Sequence, residues 1–194
     1  MANYCWNCVS FYGKTKQIKE LVKRLKSYED FNYLNAWGDY VCKIKNKNSP
    51  YNYEEDQRPY YFYGTKWWDF EIINEEKNEI LIQGDSAWSP PIELVEKICK
   101  VYDLTAEIEY DEPGMDFAGI SKFNKNGVIY EEQMISNQFR YKNNKDYWFE
   151  DLIYAYDGNS EIITTKDFKL TFEKIQEEHP YASKKDILKI IESI

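Results

Sequence analysis

Apolar and polar positions alternate along Lys66–Ile73, so Trp68, Phe70 and Ile72 share one face of a strand and Trp67, Asp69, Glu71 and Ile73 the other. The polar run Asn74–Asn78 suits a short turn. The return strand sets Ile80, Ile82, Gly84, Ser86 and Trp88 against Leu81, Gln83, Asp85 and Ala87. Ser89 then stands before Pro90 and Pro91, where a helix N-cap is expected. The stretch Tyr63–Pro91 therefore predicts a hairpin running into a helix. Tryptophan falls on both of its faces, so burial on both faces is expected.

The same reading extends along the chain. Residues 3–12 alternate as a strand that Gly13 ends, and Ile18, Leu21, Val22, Leu25 and Tyr28 form the stripe of a helix over 15–28. Lys16, Lys19, Lys23, Arg24 and Lys26 make this helix the one basic element. Residues 29–62 show no clean period, and the polar stretch around 43–60 reads as a loop insertion. A helix over 90–102 is predicted from Ile92, Val95, Ile98, Cys99 and Tyr102. A three-strand meander follows. Pro113-Gly114 suits a type II turn and Asn126-Gly127 a type I′ hairpin. Helices are expected at 146–156, after the capping pair Thr164 and Asp167, and after a second pair, Ser183 and Asp186. Short helices need a partner surface, and the uncovered sheet face is the expected one.

The order β-α-β-β-α-β plus extra strands is that of an α+β, ferredoxin-like antiparallel sheet with two helices on one face. The expected organisation is a domain over 1–140 and a helical extension over 141–194 packed on it.

Five runs carry a resemblance: Asn3-Tyr4-Cys5-Trp6-Asn7, Gly64-Thr65-Lys66-Trp67, Ala87-Trp88-Ser89-Pro90-Pro91, Tyr110-Asp111-Glu112-Pro113-Gly114 and Phe117-Ala118-Gly119. In this order they resemble the YubB-like family of plasmid and phage proteins with a ferredoxin-like domain, over about residues 1–135. The resemblance implies that fold and a mobile-element origin. It supplies no catalytic residues.

The charge balance, 25 Lys and Arg against 34 Asp and Glu, gives a net charge of −9, which argues against broad nucleic-acid binding. The opening MANYCWNC lacks a basic region followed by an apolar run, and no apolar stretch approaches a membrane span. A cytoplasmic protein with reduced thiols is expected.

Candidate chemistry is sparse. Cys5 and Cys8 have knuckle spacing, but on a strand they point to opposite faces, and no second pair or ligand-rich histidine cluster completes a zinc site. Gly13-Lys14-Thr15 imitates the end of a phosphate-binding loop without its first glycine. No cofactor is expected. His179, before Pro180, reads as a helix C-cap or surface residue. Glu107, Glu109 and Asp111 share a strand face, with Glu131 and Asp116 expected beside them. Such a row binds a divalent cation or works as acid and base in some proteins, and more often is a solvated sheet face. Lys66, Trp67 and Trp88 are candidates for ligand stacking, against the commoner reading of aromatic core. The expected role is a non-enzymatic module that binds a host protein, in its sharper form an acidic mimic of nucleic-acid phosphate. A carboxylate or metal-assisted enzyme, and single-stranded nucleic-acid binding through the first helix and the tryptophans, are the alternatives.

Overall fold

Tyr4–Tyr12 forms β1, the strand on which the sheet is built. The computed structural model describes residues 3–26, 64–157 and 168–193, and the chain divides into two units, Met1–Gln133 and Met134–Ile194. In the first unit β1 is followed by α1 (Thr15–Lys26), β2 (Trp68–Glu75), β3 (Glu79–Ala87), α2 (Ile92–Tyr102), β4 (Thr105–Glu112), β5 (Phe117–Asn124) and β6 (Gly127–Met134). The expected insertion around 43–60, Tyr28 and the pair Thr164 and Asp167 lie outside the described residues.

The six strands are ordered β2-β3-β1-β4-β5-β6. β1 runs antiparallel to both β3 and β4, as β2 does to β3 and β5 to β4. The first four strands and two helices make the ferredoxin-like arrangement, and β5 and β6 extend it at the β4 edge. One face is apolar. Cys5, Val9, Phe11, Ile80, Ile82, Ala106, Ile108 and Phe123 pack there with Ile18, Leu21 and Leu25 of α1 and Leu94, Val95 and Ile98 of α2. Each Val, Leu, Ile or Phe side chain among them contributes roughly 1.5–3 kcal/mol on burial.

Several local expectations are corrected. Ser89 is not the cap of α2; Pro91 holds that position without a side-chain cap, and the Ser89 hydroxyl donates to the Gly64 carbonyl. The buried stripe of α2 includes Leu94, while Ile92 and Tyr102 are half-buried. The β4–β5 turn is not type II. Gly114 has no positive φ; the left-handed residue is Asp116 at φ 54°, and Glu112, buried, accepts from the Met115 N–H to brace the turn. The β5–β6 turn is not type I′, because the positive φ falls on Gly127 and neither Lys125 nor Asn126 shares it. The β2–β3 hairpin is not buried on both faces: Trp68 is buried, but Asp69, Glu71 and Gln83 are exposed. Ionised carboxylates resist burial without partners.

In the second unit, α3 (Ser136–Asn143), α4 (Lys145–Asp157), α5 (Phe168–Glu178) and α6 (Lys184–Ser193) surround a core of their own, with Trp148, Leu152, Tyr156, Ile175, Ile187 and Ile190 at its centre. The helix α3 is additional to the expected elements; its weak amphipathic character leaves little periodic signal. The Ser183–Asp186 capping pair forms: the Asp186 N–H donates to Ser183 Oγ at 3.2 Å, and Ser183 Oγ–H donates to Asp186 Oδ2 at 2.6 Å. Tyr141 and Lys145 donate to the same carboxylate. Burial pushes Asp186 up, but the bonds from Lys145, Ser183 and Tyr141 outweigh it and hold its pKa at about 2. His179 is not a surface residue. It is buried, with Nε2 3.0 Å from the Tyr156 hydroxyl and Nδ1 2.8 Å from that of Tyr181, and burial lowers its pKa.

Candidate functional site

The face of the sheet opposite the apolar core carries most of the unexplained polar chemistry. Strand alternation and register determine its membership. Asp69 pairs with Asp85, Asp85 with Trp6, and Trp6 with Asp111, giving one row across β2, β3, β1 and β4. The next row is Glu71, Gln83, Cys8 and Glu109, and a third joins Leu81, Ser10, Glu107 and Lys122. Asp69, Glu71, Asp85, Glu107, Glu109 and Asp111 thus share this face of β2, β3 and β4. The cation placed among them is Lys122, whose Nζ lies 2.5 Å from Glu107. Trp6 sits half-buried between Asp85 and Asp111.

The field shows in the proton affinities. Desolvation first, and then Asp69 opposite, push the Asp85 carboxyl up. Glu109 is raised by desolvation and by Glu107, against a smaller opposing effect of Lys122. Desolvation and Glu109 raise the Cys8 thiol, while Cys5, on the apolar face, is pushed up to about 12 chiefly by burial. Like charges directly opposite in a sheet are destabilising. A carboxyl whose folded pKa is raised binds more protons folded than unfolded, so its contribution to stability falls as pH rises through the carboxylate range. Asp85→Asn is therefore expected to raise the thermal midpoint at pH 7 by the equivalent of roughly 0.2–1 kcal/mol, with the gain shrinking towards pH 4. Melting curves of both proteins across that range check this; a gain that grows on acidification contradicts it.

An aromatic group borders the face at the β1 N-terminus. Tyr4, paired with Ala87, meets Trp67 edge-on with ring centroids 5.4 Å apart. Trp67 is half-buried against the core, and its carbonyl accepts from the Ala87 N–H and the Thr65 hydroxyl. Trp88 lies beyond the end of β3 at φ 64°, its N–H donating to the Asn3 carbonyl, and its side chain is 45% exposed. Lys66 is exposed and, among the described residues, stands over no aromatic ring.

The structure thus brings Glu107, Glu109 and Asp111 together and adds Asp69, Glu71, Asp85 and Trp6, which sequence reasoning did not assign to the site. Glu131 is not with them. Lys122 stands 6.0 Å from the Tyr130 ring, which puts Tyr130 on the acidic face, and alternation sends Glu131 to the other, where burial first and then Glu131 raise the Tyr110 hydroxyl. Asp116 lies in a turn rather than on a strand. The tryptophans do not act as one group, since Trp68 is buried in the core while Trp67 and Trp88 stay at its margin. Among the described residues, no three His, Cys, Asp or Glu side chains are gathered closely enough to hold a metal ion, and no helix is long and apolar enough to cross a membrane.

Comparison with known proteins adds the family. Residues 67–166, half of the chain, match a family model described as the ferredoxin-like domain in Api92-like protein. Among solved structures, the crystal structure of a protein api92 from Yersinia pseudotuberculosis aligns over 68% of this chain and 98% of that one, at 9% identity and a TM-score of 0.47. No curated protein matches.

Proposed function

The chain belongs to the family of Api92-like proteins with a ferredoxin-like domain, and on that footing we propose that it is a binding module whose acidic sheet face docks a basic segment of a partner protein. One observation carries the reading. Asp69 and Asp85 are directly paired, with Trp6 and then the buried Asp111 following in the same row, and next to the row holding Glu71 and Glu109. A sheet face built from opposed like charges is less stable than a neutral one, and a cationic partner removes that penalty on binding. Trp6, between two carboxylates, supplies a ring for cation–π contact with an arginine. Phosphate mimicry against a nucleic-acid-binding protein, and an origin on a plasmid or phage, are finer forms of the same proposal.

The test uses an isotope-labelled full-length chain titrated with an arginine-rich peptide and with a length-matched glutamate-rich one. Amide shifts are expected on β1–β4 around Trp6, Cys8, Asp85 and Glu109 with the basic peptide alone, weakening as salt rises. Asp69→Lys with Glu71→Lys is expected to weaken binding by about tenfold, the scale of replacing one or two surface ion pairs by repulsion. Shifts scattered over both units, or a double variant that binds equally well, would falsify the docking role.

A further inference from the structure

The acidic face ends in an aromatic row. Tyr4, Trp6 and Cys8 alternate on one side of β1, away from the buried Cys5, Asn7 and Val9. Tyr4 pairs with Ala87, and the Ala87 N–H donates to the carbonyl of Trp67, just before β2. Trp67, Ala87 and Tyr4 thus form the row beside Asp69, Asp85 and Trp6. Across the small Ala87 the Tyr4 and Trp67 rings meet edge-on, 5.4 Å apart. Tyr4 is 61% exposed and Trp67 half-buried; in the next row Asp69 is exposed and Asp85 half-buried. Neighbouring rows lie two residues apart along each strand, about 7 Å. The same end of the sheet carries backbone strain. Trp88, directly after Ala87, sits at φ 64° with its side chain 45% exposed. Bulky residues rarely occupy the left-handed region, and those that do gather at ligand-binding positions. Hydrogen bonds hold the chain there: the Trp88 N–H donates to the Asn3 carbonyl at 2.9 Å, and the buried Thr65 hydroxyl to the Ala87 carbonyl at 2.9 Å.

From these two rows we infer that the segment docking on the acidic face is extended and carries a proline two residues from an arginine, with the proline on Tyr4 and Trp67 and the arginine against Asp69, Asp85 and Trp6. This pattern rests on the docking role proposed above and gives that role its sequence preference. Adjacent exposed aromatic rings are the surface on which proline-rich segments lie, because a polyproline II backbone is already extended and loses little freedom on binding. Such a backbone advances about 3.1 Å per residue, so a proline and an arginine two positions away stand about 6 Å apart, close to the spacing of the rows. A planar guanidinium donates to two carboxylates at once and stacks on an aromatic ring, which a compact ammonium cannot do. The directly paired Asp69 and Asp85, with Trp6 beside Asp85, offer both kinds of contact. A methylated lysine is disfavoured, since an aromatic cage encloses its cation between rings, and the Tyr4 and Trp67 rings are already in contact with each other.

Calorimetric titration of the full chain at low salt with three peptides of equal charge tests it. Each peptide carries an arginine and a lysine at alternate positions in a glycine background. On the side away from the lysine, a proline stands two residues from the arginine, directly next to it, or is replaced by glycine, and each peptide is made in both chain directions. In one direction the spaced proline is expected to tighten binding about fivefold over glycine, the scale of one ring contact, and the adjacent proline to give no such gain. Tyr4→Ala is expected to abolish the gain while leaving the glycine peptide and the melting temperature unchanged, because the Tyr4 ring is mostly exposed. Asp69→Asn is expected to weaken all peptides alike. Equal affinity of spaced-proline and glycine peptides in both directions, an equal gain from the adjacent proline, or a gain that survives Tyr4→Ala overturns the proline–arginine pattern and leaves the acidic docking role standing. Failure of every peptide to bind overturns both.

Discussion

Replacing Trp148 by alanine is expected to cost about 3–5 kcal/mol, the range for removing a fully buried large aromatic side chain. Trp148 has no exposed surface and stands edge-on to three rings, Tyr141 at 4.8 Å, Phe149 at 5.2 Å and His179 at 6.0 Å. Its indole N–H finds no hydrogen-bond partner, so the variant gives up packing and ring interactions rather than a polar bond. Four short helices gathered on one such residue have little in reserve, since a typical domain is stable by only about 5–15 kcal/mol. Amide hydrogen exchange of α3–α6 and circular-dichroism melting are the measurements. A second readout is local. Water admitted beside His179 is expected to return its lowered pKa towards the ordinary imidazole value, visible in an NMR titration. A loss below about 1 kcal/mol would show that Trp148 is not the centre of that core.

Gly84→Val is expected to detach β2 from the sheet. A Cβ at Gly84 meets the carbonyl oxygen of Asp69, and Phe70 Cα lies 2.6 Å away. Both are backbone atoms of the neighbouring strand, so no rotamer change relieves the clash. Overpacking of a well-filled site costs typically about 1–3 kcal/mol and sometimes more, and the branched side chain of valine places the case at the upper end. Trp68 and Phe70, whose rings are 4.5 Å apart over this position, lose their seat with the strand. The binding proposal gives the variant a second consequence. Asp69 and Glu71 leave the acidic rows, so affinity for the arginine-rich peptide falls together with the melting temperature. Gly84→Ala should show the same pattern at smaller amplitude. If valine left both quantities unchanged, β2 would have to be free to shift relative to β3.

The elements of the sheet were legible because their signals are local. Alternation in Cys5–Phe11 and Trp68–Ile72, and the helical stripe Ile18–Leu25, correspond to β1, β2 and α1. Glu107, Glu109 and Asp111 could be assigned to one face by counting in twos. The rest of the site could not, because Asp69, Asp85 and Trp6 join them only through pairings across the sheet. Register between strands distant in sequence is not a local property. Turn types are hard to read for a related reason. Pro113-Gly114 and Asn126-Gly127 permit the predicted turns without requiring them, and the strand ends they join placed the left-handed residue at Asp116 and Gly127. His179 has no local mark of burial, because that burial depends on Tyr156 and Tyr181 closing over it from both sides of the sequence.

The position of β1 has a consequence for how the protein is made. Cys5 must wait for Ser86 and Trp6 for Asp111 before either edge of the strand is satisfied. At synthesis rates of roughly 5–20 residues per second the interval to Asp111 is about 5–20 s. Until β3 is made Val9 and Phe11, both destined for complete burial, travel on a strand with two unpaired edges, and from then until β4 on one with a single unpaired edge, the form prone to join a neighbouring chain. Closing loops of this length also slows folding itself. Yield on overexpression should therefore depend on chaperone supply and growth temperature more than the equilibrium stability of the finished sheet would indicate.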